Sequence, residues 1–309
     1  MSILVVGSVA LDSLETPFGS AKNVLGGAAT YFSLVASLYA PVNLVAVVGS
    51  DFPREHIDLL RSRGVDLEGL QVRDGKTFQW AGRYSFDLNT AETLDTQLNV
   101  FAEFRPSLPE KYRQSECVFL ANIDPDLQYE VLRQVPNARF TAMDTMNFWI
   151  EHKRDSLTRT LSAVDIVLIN EAEARMYADT HSLVTAAKRI LALGPRIVVI
   201  KKGEYGCVMF TPASYFAVPA YPLEEVRDPT GAGDTFAGGF MGYLAAVGDL
   251  SSESVRQAVV HGSIVASFTV EDFGVNRLCR LDRQQIVERY RQLREYTAFE
   301  DDRCWEGVC

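Results

Sequence analysis

Short, strand-sized apolar runs alternate with helix-length segments along most of this chain, and that alternation restricts the fold more than any other feature. Residues 3–9, 43–48, 118–122, 139–144, 165–169 and 196–200 read as strands. Residues 28–39, 54–63, 126–134, 171–178 and 183–193 read as helices, with Gly64 stopping the second. Strands separated by helices predict a mostly parallel sheet with helices on both faces. Three more helical stretches fill the C-terminal third, at 235–247, 254–271 and 282–295. A length of 309 residues suits one large α/β domain with a small appendage.

Two segments break the rhythm, 13–25 and 70–104. In the second, Thr77, Gln79 and Ala81 alternate with Phe78, Trp80 and Gly82, and Tyr84 and Phe86 follow. Both insert after strands, so they read as a small β-rich lid over the carboxyl ends of the sheet, where open α/β sheets bind ligands. The expected division is a core of 1–12, 26–69 and 105–300, a lid of 13–25 and 70–104, and a tail of 301–309. The alternative is a pair of surface loops.

Composition excludes several functions. Thirty basic against forty acidic residues give a net charge of −10, which argues against sequence-independent nucleic-acid binding. No apolar run approaches the ~18 residues of a membrane span. No basic segment precedes the apolar N-terminus, so no signal peptide is expected. The five cysteines, Cys117, Cys207, Cys279, Cys304 and Cys309, are scattered and odd in number, which suits a cytoplasmic protein and gives no zinc framework. The four histidines show no metal spacing. Gly69–Thr77 mimics a P-loop but has five residues between its glycines and strand-like sequence behind. No Gly-x-Ser-x-Gly elbow is present.

The chemistry concentrates in Asp228-Pro229-Thr230-Gly231-Ala232-Gly233-Asp234-Thr235-Phe236. Two glycines permit a tight turn, a helix opens directly behind, and backbone N–H groups at a helix N-terminus make an anion site. Asp234 falls in that same first turn. An acid beside an anion hole is what phosphoryl transfer to a hydroxyl requires, the carboxylate taking the proton and the amides holding the moving charge. The same residues read about as well as a plain glycine turn capped by Asp. Asn170 and Glu173 lie three apart where a strand passes into a helix, so a carboxylate there either holds a metal-bound water, as Mg²⁺ prefers, or belongs to a surface glutamate behind an Asn cap.

The segment from Asp228 resembles the second signature of the ribokinase-like, or PfkB, family of sugar and nucleoside kinases, and the resemblance extends over nearly the whole chain. It implies a three-layer α/β/α sandwich with a mostly parallel central sheet and a small β-rich lid. It implies that Asp234 is the catalytic base and that Gly231, Ala232 and Gly233 supply the anion-hole amides. Asp12 and the pair Gly26-Gly27 resemble the family's acceptor-binding residues, and Asn170-Glu171-Ala172-Glu173 its motif for magnesium and phosphate placement, with Glu173 acting on Mg²⁺ through water. Lys201, before Gly203-Glu204-Tyr205-Gly206, departs from the usual Thr. It either meets nucleotide phosphates or is a solvated lysine at a strand end. Thr230, Gly203, Gly206, Ser263, Ser267 and Val270 fall where the family borders ATP, and some relatives hold a monovalent cation near Asp228 and Thr230.

The acceptor is left open between a nucleoside and a furanose sugar. Sugar-specific relatives place Asn where this chain has Tyr31. The segments around Phe78, Trp80 and Phe86 and around Asn147, Phe148 and Trp149 look similar to a bacterial nucleoside-kinase branch. Asn122 and Asn147 are candidate acceptor contacts. The aromatics either stack on a base or pack the lid. The expected function is thus an ATP- and Mg²⁺-dependent kinase of a nucleoside or furanose. A free-sugar kinase, or a sensor without catalysis on the same fold, is the alternative. An exposed lid edge would suit a homodimer.

Overall fold

The structure, a computed structural model, describes residues 1–299. Cys304, Cys309 and the 301–309 tail lie outside them. In chain order, β1 (Ile3–Val6) leads to β2 (Ala10–Thr16) and β3 (Gly19–Gly26), then α1 (Ala28–Ala36), β4 (Val42–Gly49), α2 (Arg54–Ser62) and β5 (Val65–Arg73). Next come β6 (Gln79–Tyr84), β7 (Ala91–Gln97), β8 (Cys117–Leu120), α3 (Pro125–Gln134), β9 (Phe140–Asp144), α4 (Asn147–His152) and α5 (Arg154–Leu161). The chain continues through β10 (Ile166–Asn170), α6 (Glu171–Ala178), α7 (Leu183–Leu191), β11 (Ile197–Lys201), β12 (Cys207–Phe210) and β13 (Tyr215–Val218). It closes with α8 (Ala232–Val247), α9 (Ser252–Thr269) and α10 (Arg283–Thr297).

Nine strands form the main sheet in the order β13-β12-β11-β10-β9-β8-β1-β4-β5. The pairs from β11 to β5 are parallel, and only β12 and β13 join antiparallel. Side chains on a strand alternate between faces, and here both faces are buried, which is why these strands are apolar throughout. Ile3, Val5, Leu44, Phe119 and Leu168 join one core with α1, α8 and α9. Their neighbours Leu4, Val6, Val45, Val118 and Val167 join a second core that includes residues of α3, α5, α6 and α7. The result is the expected α/β/α sandwich. No helix among the described residues is long and apolar enough to cross a membrane.

The lid is a separate four-stranded sheet, β3-β2-β6-β7. Its limits differ from those read off the sequence. The first strand of the main sheet ends at Val6 rather than Val9, and residues 10–12 and 26 already belong to the lid through pairing of β2 with β3. Residues 70–73 pair with β4 and so extend the main sheet. Apolar Val9 and Ala10 satisfy a strand pattern in either sheet, and only the partner decides.

Phe32 of α1 stacks on Phe119 of β8 at 4.3 Å between ring centroids, both fully buried beneath the site. Phe119→Ala is expected to lower unfolding free energy by about 3–5 kcal/mol through lost burial and the cavity left behind. Urea denaturation reads this directly, and a loss below about 1 kcal/mol would show that this layer does not support the fold as described.

Candidate active site

Three adjacent parallel strands end in polar residues on one edge: β9 in Asp144, β10 in Asn170 and β11 in Lys201. The register sets Asn170 beside Lys201 and Leu168 beside Asp144. Gln128 of α3, almost fully buried, donates to the carbonyls of Leu120, Ala121 and Asp144 and so fixes the ends of β8 and β9. On this edge Lys201 Nζ meets Asp144 Oδ2 at 2.9 Å, with both side chains largely buried. Lys201 is therefore not a solvated lysine. Its ammonium sits against the start of α8, since a Cβ on Gly233 would lie 2.9 Å from Nζ.

Asn170 caps α6. Its Oδ1 accepts from the Glu173 amide at 2.8 Å, and Glu173 Oε2 accepts from the Asn170 amide at 3.0 Å. The cap reading holds, but the glutamate is buried rather than on the surface. Burial, then the nearby Asp144 charge, pushes the Glu173 carboxyl up to about 8 against the opposing pull of Lys201. Burial and Asp144 likewise push Asp234 up to about 7, again opposed by Lys201. For Lys201 burial disfavours the charge, yet Asp144 and Glu173 outweigh it and hold the ammonium above its ordinary range.

Asp234 occupies the first turn of α8, behind Gly231, which takes φ 76° as the N-cap. Gly231 serves two needs. That φ disfavours other residues, and a Cβ would overlap the ring of Tyr31. Among the described residues the amides of Gly231 and Gly233 find no backbone hydrogen-bond partner, whereas the Ala232 amide donates to the Pro229 carbonyl at 3.2 Å. Of the three amides expected to form an anion hole, the turn thus engages the middle one. Asp228 is fully buried and anchors the turn, accepting from the amides of Thr230 and Gly274, each at 2.9 Å. Val270 contributes its carbonyl, which accepts from the Arg227 amide at 2.8 Å.

Across the site, Asp12 lies on β2 with its carboxyl filling the space that a Cβ on Gly26 would need. Its pKa rises to about 7 through burial, countered by the Gly27 amide and reinforced by the charges of Asp228 and Asp234. Tyr31 is buried on α1, and its hydroxyl has no hydrogen-bond partner among the described residues.

Other expected residues fall elsewhere or are already engaged. Asn147 is exposed at the start of α4. Asn122 spends its carboxamide on Met146 Sδ and on the Trp149 indole N–H. The buried hydroxyls of Ser263 and Ser267 donate to the carbonyls of Pro219 and Ile264. Gly206 is buried against the Val218 carbonyl, while Gly203 is exposed beside Asn89 of the lid. Phe78 packs on Phe101, Phe86 meets Phe18 at the lid tip, and Phe148 stacks on His152. Two residues that the sequence reading did not assign join the site, Asp144 and Tyr84. An acid closing an apolar strand was the available signal for the first.

Residues 3–281 match the pfkB family carbohydrate kinases, and the chain belongs to that family of phosphotransferases. A cytidine kinase of Thermococcus kodakarensis is 33% identical over 246 residues, 78% of this chain and 87% of that protein. A nucleoside kinase of Methanothermobacter thermautotrophicus is 28% identical over 88% of this chain and 90% of its own length. A Burkholderia thailandensis nucleoside kinase solved with inosine superposes with a TM-score of 0.78 at 18% identity, covering 94% of this chain and 97% of its own. A putative ribokinase II from E. coli, solved with ATP and Mg²⁺, superposes with the same TM-score of 0.78 at 18% identity, covering 94% of this chain and 99% of its own.

The raised carboxyls carry a consequence for stability. Asp12, Asp234 and Glu173 bind protons more tightly folded than unfolded, so their contribution is complete below about pH 4 and is lost as the pH rises through 7 to 8. The melting temperature of the ligand-free protein is expected to fall between pH 5 and pH 8. Asp12→Asn should flatten that fall. A melting temperature that rises over this window would contradict the assigned shifts.

Proposed function

We propose that this kinase moves the γ-phosphoryl group of ATP to the primary hydroxyl of a nucleoside. The observation that carries the reading is Asp234, a half-buried carboxylate in the first turn of α8 beside the free amides of Gly231 and Gly233. Asp12, Gly26 and Gly27 hold the acceptor, with the unpartnered Tyr31 hydroxyl as a donor toward it. Asp234 accepts the proton of the attacking hydroxyl, and the two amides stabilise charge on the transferring group. Thr230, Asn170 and Lys201 lie on the phosphate side, with Gly203 and Val270 bordering the nucleotide.

A divalent cation entering beside Asp144, Glu173 and Asp234 would favour their charged forms over the protonated forms that burial favours. Glu173 would reach a Mg²⁺ ion through water, as that ion prefers. When bound, the ion neutralises phosphate charge. Asp228 and Thr230 are the residues a monovalent cation would face.

The names of the relatives support a nucleoside acceptor. So does Trp80, which shares the Asp12 side of the lid sheet, lies over Gly82 and is tethered through its indole to Thr93. Base stacking on such a face is worth about 1–3 kcal/mol. Free thiols at Cys117, Cys207 and Cys279 suit the cytoplasm, and the exposed β7 suits pairing with a second copy. A free-sugar kinase and a sensor without turnover are the competing readings.

An ADP-release assay across cytidine, adenosine, guanosine, inosine, ribose and fructose separates the three. Nucleosides should give the higher kcat/KM, preference for a free sugar would favour the second reading, and binding without turnover the third. Asp234→Asn is expected to cut kcat at least about 100-fold with the fold intact, and near-normal turnover would sink the base assignment. Lys201→Ala is expected to lower kcat/KM for ATP by about 10- to 100-fold, the worth of one charge-assisted hydrogen bond. Unchanged kcat and KM would remove Lys201 from the phosphates.

A further inference from the structure

The lid is fastened at one end and latched at the other. Thr77, fully buried just before β6, donates from its amide and hydroxyl to Asp51 Oδ1, both at 2.7 Å, and its Oγ1 accepts from the Gly49 amide at 3.0 Å. Asn99 Nδ2 donates to the Thr77 carbonyl at 2.9 Å. These bonds pin the root of β6 to the end of β4. Seven residues on, Tyr84 ends the same strand at the catalytic turn, where Thr230 Oγ1 donates to its hydroxyl at 3.2 Å. A strand of this length spans roughly 23 Å from root to tip.

The other lid contacts converge on the same side. Thr16 Oγ1 donates to the Arg227 carbonyl at 2.9 Å, Gly19 lies against the Phe273 ring, and Asn89 lies against Gly203. Within the turn, Asp228 fixes the Thr230 amide, and the Thr230 hydroxyl is turned to the lid, where it donates to Tyr84. Asp12 on β2 pairs with Trp80 on β6, so the strand that carries an acceptor contact is bonded to the strand that carries Tyr84.

We propose that Tyr84 is a positioning residue that ties lid closure to the anion-binding turn, so that the Thr230–Gly233 segment is held for transfer only while the lid covers an acceptor. The inference rests on the kinase reading above. In productive turnover the acceptor oxygen bonds to the γ-phosphorus, the bond to the β–γ bridging oxygen breaks, ADP leaves and Asp234 takes the hydroxyl proton. With water in place of the acceptor, the same exchange yields ADP, inorganic phosphate and a proton. A turn fixed only under a closed lid disfavours the second course.

The test compares wild type with Tyr84→Phe, which keeps the ring and removes the hydroxyl. ADP and phosphorylated nucleoside are measured separately with ATP, Mg²⁺ and the preferred nucleoside. Wild type should form the two in equal amounts. The variant should show a ratio of ADP to product at least about threefold higher and a kcat about tenfold lower, the scale of one lost hydrogen bond. KM for ATP should stay within about twofold. Thr230→Val removes the donor from the other side, and the double variant should be no worse than the poorer single one. It also replaces Tyr84→Phe should that variant fail to fold. A wild-type ratio in the variants, or effects that simply add, would overturn the role of Tyr84 while leaving the kinase reading intact. Absence of turnover by wild type with every acceptor would overturn both.

Discussion

One ammonium among three carboxylates sets the character of the site. Lys201 pairs with Asp144 at 2.9 Å while Glu173 and Asp234 crowd the same largely buried space. One pair is neutralised, and the remaining two acids are driven toward the protonated form by burial and by Asp144. That resolves the apparent conflict between a chain of net charge −10 and a polyanionic nucleotide. Near neutral pH part of the local negative charge is absent, and the proposed phosphate contacts are free amides and a lysine rather than a basic surface.

The same chemistry depends on how the sheets are joined. Asp144, Asn170 and Lys201 are brought together because β9, β10 and β11 are adjacent and parallel, so equivalent strand ends share one edge. Asp12 comes from the other sheet. The chain leaves β1 after four residues and enters the lid at Ala10, which places Asp12, the proposed acceptor contact, in the lid sheet. Under the proposed function, recognition of the acceptor and closure over it would be linked through this one strand.

Much of this was legible in the sequence, and the reasons are local. The alternation of apolar runs and helices gave the sandwich because both faces of each strand are buried. The Asp228–Asp234 segment announced its turn through glycines and the helix behind them. What escaped depended on partners distant in the chain. Asp144 and Lys201 are 57 positions apart and meet only through strand order. Tyr84 and Thr230 are separated by 146. Spacing could not reveal that the Ala232 amide is consumed by Pro229, or that the side chains of Asn122, Ser263 and Ser267 are already committed. Strand β7 lacks the apolar density that marks the central strands, and β12 and β13, though apolar, are only four residues long.

The pH dependence of kcat/KM tests the central claim most directly, because it reads the protonation of the base in the free enzyme. A half-buried, acid-crowded Asp234, with Asp12 and Glu173 raised alongside it, requires an activity that falls below about pH 7. Full activity maintained down to pH 5, with a limb near the ordinary aspartate value of about 4, would contradict it.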